Sequence, residues 1–351
     1  MAIADLPVAL DAMGGDRAPD EIIAGALDAV AAGLSVVLVG PVDGSLGDVG
    51  GREILPASEV ITMKEDPAKA VRTKKDSSLL RAAEAVRDGR ASAMVSAGNT
   101  GAAMASALFR MGRLPGVARP CIATPLPVPG GSPTVMVDAG ANADCQSDWL
   151  VQFAQMGAAF YRERYGVLRP KVALLSIGEE SSKGNVLVKE THERLAGGEG
   201  AGGPERLEGP EGLEGPERLA VGYEFIGNVE GRDLLTGEAD VVVTDGFTGN
   251  VALKTLEGAL KTFMTLLGGV MSASDEAKAA SEVLLPGLLE AAAPLDPEAT
   301  GGAMLLGVDG VCIISHGSSS RRAIVNAIRA GHDLAARGIV SKLAEAVRPL
   351  S

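Results

Sequence analysis

The sequence predicts a three-layer α/β/α fold, in which a mostly parallel β-sheet is covered on both faces by helices. Short apolar runs rich in β-branched residues recur along the chain, and at least six of them are followed by a pattern of helical period. A loop rich in Gly, Asp, Asn, Ser or Thr stands between each run and its helix. This alternation is typical of parallel strands that are joined by crossover helices.

The elements follow one another in a regular order. The predicted strands cover residues 8–10, 35–40, 55–62, 93–96, 134–137, 172–175, 241–243 and 311–315. Helices are expected after most of them, because apolar residues recur there at helical spacing. The first helix, for example, has Pro19 near its first turn and carries Ile22, Ile23 and Leu27 on one face.

Residues 1–351 are predicted to form a single α/β domain, and a chain of this length can bury an ample core. Residues 197–219 repeat Gly-Pro-Glu at a six-residue period, which predicts an exposed low-complexity insertion. Residues 251–293 predict two apolar helices around Gly268 and Gly269. Such a pair suits packing in the core or contact with a second subunit, where it would project.

Composition narrows the functional classes. A net charge of −13 argues against a general nucleic-acid-binding surface, which must be basic. The three cysteines are far apart and form no C-x-x-C pattern, which predicts reduced thiols in a cytosolic protein. The sequence carries neither a signal-peptide pattern nor an apolar run of membrane-spanning length.

Residues 64–90 reverse the local charge, with eight basic side chains against five acidic ones. In an acidic chain this favours a docking surface for an acidic partner, and a solvated helix face is the alternative. The docking candidates are Lys69, Arg72, Lys74 and Lys75.

The stretch from Val241 to Val251 is the first candidate for a ligand site. Its strand ends in a loop containing Thr248, Gly249 and Asn250 at a predicted helix start. Free backbone N–H groups and the positive end of a helix dipole at such a place suit a phosphate. A plain tight turn explains one such loop equally well, but residues 97–101 form a similar loop. Because parallel strands share one carboxyl edge, all the polar loops are expected to line one crevice.

The remaining motifs favour direct displacement by a bound anion. The chain has no Walker A sequence, no G-x-G-x-x-G loop and no zinc pattern. Cys145 precedes a helix that could activate it, although inert packing explains it better. His316 begins a loop after a buried strand, where a catalytic role and a purely structural role are both open. A bound phosphate that attacks an acyl carbonyl, with fixed donors for the oxyanion, fits these residues.

Motifs spread over almost the whole chain resemble those of one family. They are Asp11-Ala-Met-Gly-Gly-Asp16, Lys74-Lys-Asp-Ser-Ser78, Val95-Ser-Ala-Gly-Asn-Thr-Gly101, Ile177-Gly-Glu-Glu180, Lys183-Gly-Asn185, Phe225-Ile-Gly-Asn-Val-Glu-Gly-Arg-Asp233, residues 240–253, Leu306-Gly-Val-Asp-Gly-Val311 and His316-Gly-Ser-Ser319. With them the chain resembles the bacterial phosphate acyltransferases (acyl-[acyl-carrier-protein]–phosphate acyltransferases) of phospholipid synthesis.

The resemblance implies transfer of a long-chain fatty acyl group from acyl carrier protein to inorganic phosphate. The product would be an acyl phosphate that a membrane-bound glycerol-3-phosphate acyltransferase uses. The resemblance also implies a Rossmann-like fold related to phosphotransacetylases and isocitrate dehydrogenases, a homodimer, and peripheral attachment to the cytoplasmic face of the membrane. With that attachment, the helix pair of residues 251–293 becomes a candidate for lipid contact. It implies neither a metal nor another cofactor. Acyl carrier protein is strongly acidic, which would explain the basic stretch.

Loop positions, taken with the resemblance, suggest a role for each candidate residue. Cradling of phosphate or of the thioester oxygen is expected from Ser96, Gly98, Asn99, Thr100, Gly101, Thr248, Gly249 and Asn250. Lys183, helped by Asn185, would neutralise the phosphate, and His316 would protonate the leaving thiolate. Asn228 and Asp245 would orient the loops.

Three other functions remain open at this point. A phosphotransacetylase that uses a short acyl-CoA would share the fold and the chemistry. A nicotinamide-dependent dehydrogenase of related fold would bind NADH. A non-catalytic membrane adaptor would bind acyl carrier protein and lipid, although it has no need of so many polar loops.

Overall fold

One eleven-stranded sheet lies at the centre of the computed structural model, which describes residues 3–198, 222–292 and 296–347. The strands are β1 (Val8–Asp11), β2 (Val36–Gly40), β3 (Ile54–Pro56), β4 (Ala93–Ser96), β5 (Cys121–Leu126), β6 (Thr134–Val137), β7 (Lys171–Leu175), β8 (Glu224–Val229), β9 (Val241–Val243), β10 (Ala303–Leu306) and β11 (Cys312–Ile314). Their order across the sheet is β3-β2-β1-β4-β11-β10-β5-β6-β9-β7-β8. Of the predicted insertion, residues 199–219 lie outside the described residues.

Helices cover both faces of the sheet, as the sequence predicts. They are α1 (Asp20–Ala31), α2 (Pro67–Thr73), α3 (Ser78–Arg87), α4 (Thr100–Arg110), α5 (Ser147–Tyr165), α6 (Val186–Ala196), α7 (Gly246–Met271), α8 (Asp275–Ala292), α9 (Arg321–Ala336) and α10 (Ile339–Ala346). Because successive strand residues point to opposite faces, Leu10 packs into one core with α1, α5, α6, α9 and α10. Its neighbour Ala9 packs into the other core, with α2, α3, α4 and the start of α7.

The direction of the strands reverses in the middle of the sheet. Strands β3, β2, β1, β4 and β11 are parallel to one another, and so are β6, β9, β7 and β8. Between these groups, β10 is antiparallel to both β11 and β5, and β5 is antiparallel to β6. The carboxyl ends of β1, β4 and β11 therefore define a first edge of the sheet. Those of β6, β7, β8 and β9 define a second, opposite edge.

The expectation that all the polar loops share one edge is therefore wrong. The sequence pattern did not reveal β5 and β10, the two strands that reverse the direction. Neither strand is followed by a helix: β5 runs into the antiparallel β6, and β10 turns directly into β11. An antiparallel neighbour needs no crossover helix, so the alternation that marks the other strands is missing.

Two element boundaries also differ from the prediction. The third strand ends at Pro56 and not at residue 62. Helix α7 begins at Gly246, so that Thr248, Gly249 and Asn250 lie in its first turns and not in a loop. Asp245 caps this earlier start, because its carboxylate accepts from the Thr248 N–H and the Thr248 hydroxyl at 2.8 Å each.

Helices α7 and α8 form a hairpin over residues 246–292, and residue 293 of the predicted pair lies outside the described residues. The turn is at residues 272–274, so Gly268 and Gly269 lie within α7. Apolar side chains that are 59% to 68% exposed line the hairpin: Phe263, Leu266, Val270, Leu284 and Leu289. Within the described part of the chain, no side chain of residues 250–290 is buried. Of these described residues, only Ala252, Leu253 and Leu256, near the start of α7, pack against the core of the monomer as partly buried side chains.

Candidate functional site

The loops at the first edge are packed around a buried carboxylate, Asp11. The Ser96 hydroxyl donates to Asp11 at 2.7 Å and accepts from the Gly98 N–H at 2.9 Å. A Cβ on Gly14 would lie 2.3 Å from the Asp11 carboxylate, so the loop after β1 requires glycine there. Burial raises the pKa of Asp11, and hydrogen bonds from Ser78, Ser96 and two backbone N–H groups offset part of this rise. Asp11 and Ser96 thus hold two loops together.

Asn99 and Gly101 shape the start of α4. The Asn99 amide oxygen caps the helix by accepting from the Ala102 N–H at 3.1 Å. Its amide nitrogen donates to the carbonyls of Thr62, Met63 and Glu65. A Cβ on Gly101 would lie 2.7 Å from the Pro67 ring, so glycine lets α2 approach. Thr100 is exposed, and its N–H in the first turn has no partner within the helix.

At the second edge, Asp138 organises the loop after β6. Its buried carboxylate accepts from the N–H groups of Ile122, Gly140, Ala141 and Asn142 and from the Asn142 side chain. Burial raises the pKa of Asp138, and these hydrogen bonds oppose the rise. The first turn of α7 lies directly on this loop, because a Cβ on Gly249 would be 2.0 Å from the Asp138 carbonyl oxygen.

The loop after β7 and the end of strand β8 hold the other predicted residues of the second edge. Asn185 caps α6 by accepting from the Val188 N–H at 2.9 Å. The Asn228 amide donates to the Glu180 carbonyl at 3.0 Å, and its oxygen lies 2.9 Å from Nδ1 of His192. Lys183 is exposed, with the stem of its side chain over Gly178. Asn228 thus bonds to the loop that contains Lys183.

Helix α7 connects the two edges. It starts at the second edge, where Asn250 lies against Gly140, and Lys254 follows one turn later on the same face of the helix. Lys254 stands about 12 Å along the helix from its start, roughly the length of a four-residue strand. Its ammonium nitrogen lies 3.4 Å from Nε2 of His316, in the loop after β11 at the first edge. Helix α7 thus carries Asn250 at one end and contacts His316 through Lys254. The sequence motifs did not single out this lysine.

None of the three cysteines is a ready nucleophile. Burial raises the pKa of the Cys145 thiol to about 12 and that of Cys312 to about 12. Burial also raises the pKa of the Cys121 thiol well above its ordinary value. Since the thiolate is the reactive form of cysteine, these values favour the inert reading of Cys145.

The basic docking candidates lie on α2 and the turn after it. Lys69, Arg72 and Lys75 are exposed. Lys74 is instead tied to its own loop, because its ammonium donates to the Val60 carbonyl at 2.6 Å and to Glu65 at 2.8 Å. This bond to Lys74 is the main cause that lowers the pKa of Glu65 to about 2.

A cavity of about 210 Å³ opens beside Arg72 and Lys75. Its lining also includes Phe109, which is 56% exposed, and Arg110. The surface therefore combines positive charge with an open aromatic side chain. We refer to Lys69, Arg72, Lys75 and Phe109 as the basic patch.

Sequence reasoning found most of the loops, and it assigned phosphate-binding roles to Asn99 and Asn185 and a loop-orienting role to Asp245. Asn99, Asn185 and Asp245 are all N-cap residues. The same residue types serve as caps and as ligands, so their position before a helix does not separate the two roles. Asp11 begins one of the motifs quoted above, and Asp138 directly follows the predicted strand of residues 134–137. The burial of the two carboxylates is seen only in the structure.

The chain is similar along nearly its whole length to characterised families. The family model described as "Fatty acid synthesis protein" matches residues 6–342. The phosphate acyltransferase of Elusimicrobium minutum is 44% identical over 345 residues, covering 96% of this chain and 94% of that protein. The phosphate acyltransferase of Dictyoglomus turgidum is 41% identical over 354 residues, covering 99% of each.

Solved structures share the architecture at low sequence identity. A phosphotransacetylase from Streptococcus pyogenes superposes with a TM-score of 0.56 at 16% identity, covering 97% of this chain and 94% of that one. The EutD phosphotransacetylase from Staphylococcus aureus gives a TM-score of 0.55 at 16% identity and covers 95% of both chains. At this identity the likeness concerns the fold alone, and it confirms the predicted mostly parallel α/β architecture.

Proposed function

The chain belongs to the fatty acid synthesis protein family, whose members include the phosphate acyltransferases, and from this we propose that it transfers a long-chain fatty acyl group from acyl carrier protein to inorganic phosphate. The enzyme is an acyltransferase. The observation that carries the proposal is the match to proteins named phosphate acyltransferase over at least 96% of the chain. The acyl phosphate product would feed phospholipid synthesis.

The proposed chemistry is a direct attack of phosphate on the thioester. A phosphate oxygen forms a bond to the acyl carbonyl carbon, the carbon–sulfur bond breaks, and the thiolate leaves with a proton from His316. Two observations support a mechanism without an acyl-enzyme. The pKa of every cysteine is raised, and the Ser96 hydroxyl is committed to Asp11. The route needs no metal and no other cofactor.

The candidate residues divide into two proposed roles. Ser96, Gly98, Asn99, Gly101, Asp245 and Gly249 hold the loops and helix starts in place, as do Asn185, Thr248 and Asn228. The Thr100 N–H, Asn250, Lys183 and His316 are the groups that would face the substrates. These four supply hydrogen-bond donors, which suit a phosphate and a developing oxyanion.

Lys183→Ala is expected to raise the KM for phosphate about 10-fold or more, because a charge-assisted hydrogen bond is lost. The KM for acyl carrier protein should stay unchanged. Steady-state kinetics at varied phosphate measure both constants. Lys189→Ala removes an exposed lysine from the adjacent helix α6 and is the matched control. Unchanged turnover of the Lys183 variant at subsaturating phosphate would remove Lys183 from the site.

We propose that the basic patch receives acyl carrier protein. Its exposed positive charges complement an acidic partner, and Phe109 and the cavity beside it offer an apolar contact at the centre. Lys74, one of the original candidates, would contribute by holding the loop of residues 60–65 in shape and not by contact.

Arg72→Glu is expected to raise the KM for acyl carrier protein about 10-fold, because the reversed charge repels an acidic partner. The effect should weaken as salt is added, since salt screens exposed charges. Kinetics at two ionic strengths measure this, with phosphate saturating. The control is Arg52→Glu, an equal charge change at an exposed arginine in the loop before β3. Equal effects of the two variants would point to net charge and not to docking.

The exposed apolar hairpin of α7 and α8 supports a further part of the proposal. We propose that it lies against the cytoplasmic face of the cell membrane, next to the subunit contact of a homodimer. In that place the acyl phosphate could pass to a membrane-bound glycerol-3-phosphate acyltransferase. Within the described ranges, no helix combines the length and apolarity that a bilayer crossing requires.

The test of the function is phosphate-dependent release of free carrier-protein thiol from palmitoyl-acyl carrier protein, with hydroxylamine added to trap the acyl phosphate. Release that depends on phosphate and yields the hydroxamate is the expected result. Release only from a short acyl-CoA would move the enzyme to the phosphotransacetylases. Binding of carrier protein and vesicles without either release would leave the adaptor function.

A further inference from the structure

Two nitrogen-bearing side chains meet where α7 passes the loop after β11. Nζ of Lys254 lies 3.4 Å from Nε2 of His316 and 2.8 Å from a carboxylate oxygen of Glu257. The Lys254 side chain is 51% exposed, and His316 is exposed. The meeting point is therefore open to a small ligand, and the ion pair with Glu257, three residues along α7, directs the ammonium group.

The other ring nitrogen of His316 determines where the neutral ring carries its proton. Nδ1 lies 3.3 Å from the backbone N–H of Ser318 and 2.9 Å from the Ser318 hydroxyl. A backbone N–H can only donate, so Nδ1 accepts and the proton of the neutral ring is on Nε2. Nε2–H and the ammonium group of Lys254 then face each other as two donors.

The loop that carries His316 is held from several sides. The hydroxyls of Ser315 and Ser319 are 2.8 Å apart, and the Ser315 N–H donates to the Ser96 carbonyl at 2.8 Å. The Ser319 N–H donates to the His316 carbonyl at 3.0 Å. These hydrogen bonds hold His316 in place, so that its Nε2–H group stays opposite the ammonium group of Lys254.

We propose that Lys254 and His316 together bind an oxygen of inorganic phosphate. Two donors that face each other without an acceptor are unfavourable. An anionic oxygen between them accepts a charge-assisted hydrogen bond from each. The inference rests on the proposed function, in which phosphate is the acyl acceptor. It adds Lys254 as a contact to the reacting anion and places that anion against the Nε2–H group of His316.

The experiment is a titration of the full-length chain with inorganic phosphate, followed by ¹⁵N NMR of its labelled histidines. In the wild type, phosphate is expected to shift the Nε2 resonance of His316. Lys254→Met should raise the phosphate Kd, and the KM for phosphate, about 10- to 100-fold. Lys254→Arg should restore most of the binding, because it keeps the charge. Lys261→Met, which removes an exposed lysine two turns further along α7, should bind phosphate as the wild type does.

The inference is overturned by an unchanged phosphate Kd in a folded Lys254→Met variant. It is equally overturned if phosphate leaves the His316 resonance of the wild type where it was, a result that needs no variant to fold. The NMR readout requires no turnover, so it separates the two proposals. A chain that binds phosphate at His316 but forms no acyl phosphate would reject the proposed function and keep the anion site.

Discussion

Gly249→Ala is expected to be among the most damaging single substitutions in the chain. The added Cβ would lie 2.0 Å from the carbonyl oxygen of Asp138 and 3.1 Å from the methyl carbon of Thr244. The first neighbour is backbone and cannot rotate away, so the start of α7 would have to leave the loop after β6. We expect the free energy of unfolding to fall by about 3 kcal/mol or more, with loss of activity. Urea denaturation and the thiol-release assay measure the two effects.

The same helix offers a control that isolates the clash. Gly258 lies about two and a half turns further along α7, and a Cβ there would meet nothing within 4 Å. Gly258→Ala should therefore raise the free energy of unfolding, by about 0.5–1 kcal/mol, because alanine favours the helix. If Gly249→Ala were as stable as the wild type, the close approach of α7 to Asp138 would be wrong.

Asp138→Asn is expected to cause the second large loss of stability. The carboxylate accepts from four backbone N–H groups and from the Asn142 side chain. An asparagine keeps the shape of the side chain but places an NH₂ group against these donors. We expect a loss of about 2–4 kcal/mol, because buried donors are left without an acceptor. Asp144→Asn, at an exposed position in the same loop, should change the free energy of unfolding little.

The pH dependence of this loss has a defined sign. Burial raises the pKa of Asp138 above its ordinary value of 3.8. The folded state therefore binds the Asp138 proton more tightly than the unfolded state does. This tighter binding contributes its whole stabilising effect at pH values below the pKa that Asp138 has in the unfolded chain. It is lost as the pH rises through the folded pKa. The difference in unfolding free energy between wild type and Asp138→Asn should thus narrow as the pH rises from about 4. Urea titrations at several pH values measure it, and a widening gap would contradict the assignment.

The fold could be predicted from the sequence wherever a strand is followed by a helix. Continuous apolar runs such as Val241–Val243 mark strands that are buried on both faces, and they were found. Strand β5, which includes Pro125, strand β8 and strand β10 were not predicted, because no α-helix directly follows any of them. The omission of β5 and β10 changed the predicted position of the whole candidate site. Without them, every parallel strand was placed in one direction and every loop at one edge.

The candidate site was harder to predict, because one of its residues, Lys254, lies in the middle of a helix and not in a loop. Lys254 stands at a position where the sequence shows only helical periodicity, and its contact with His316 joins residues 62 positions apart. His316 itself was found, since it follows a buried strand directly. The groups that orient the His316 ring are the hydroxyl and the backbone N–H of Ser318, two residues away. The sequence alone does not show to which ring nitrogen they bond.

The reversal of strand direction also bears on how the chain folds as it is synthesised. The middle of the sheet consists of β10 and β11, at residues 303–314, although its outer strands are made from much earlier residues. Until these two short strands emerge, β4 and β5 are unpaired on their inner sides, and each part of the sheet exposes an open strand edge. Pairing across more than 180 residues closes the sheet late, which slows folding and favours protection of the nascent chain by chaperones.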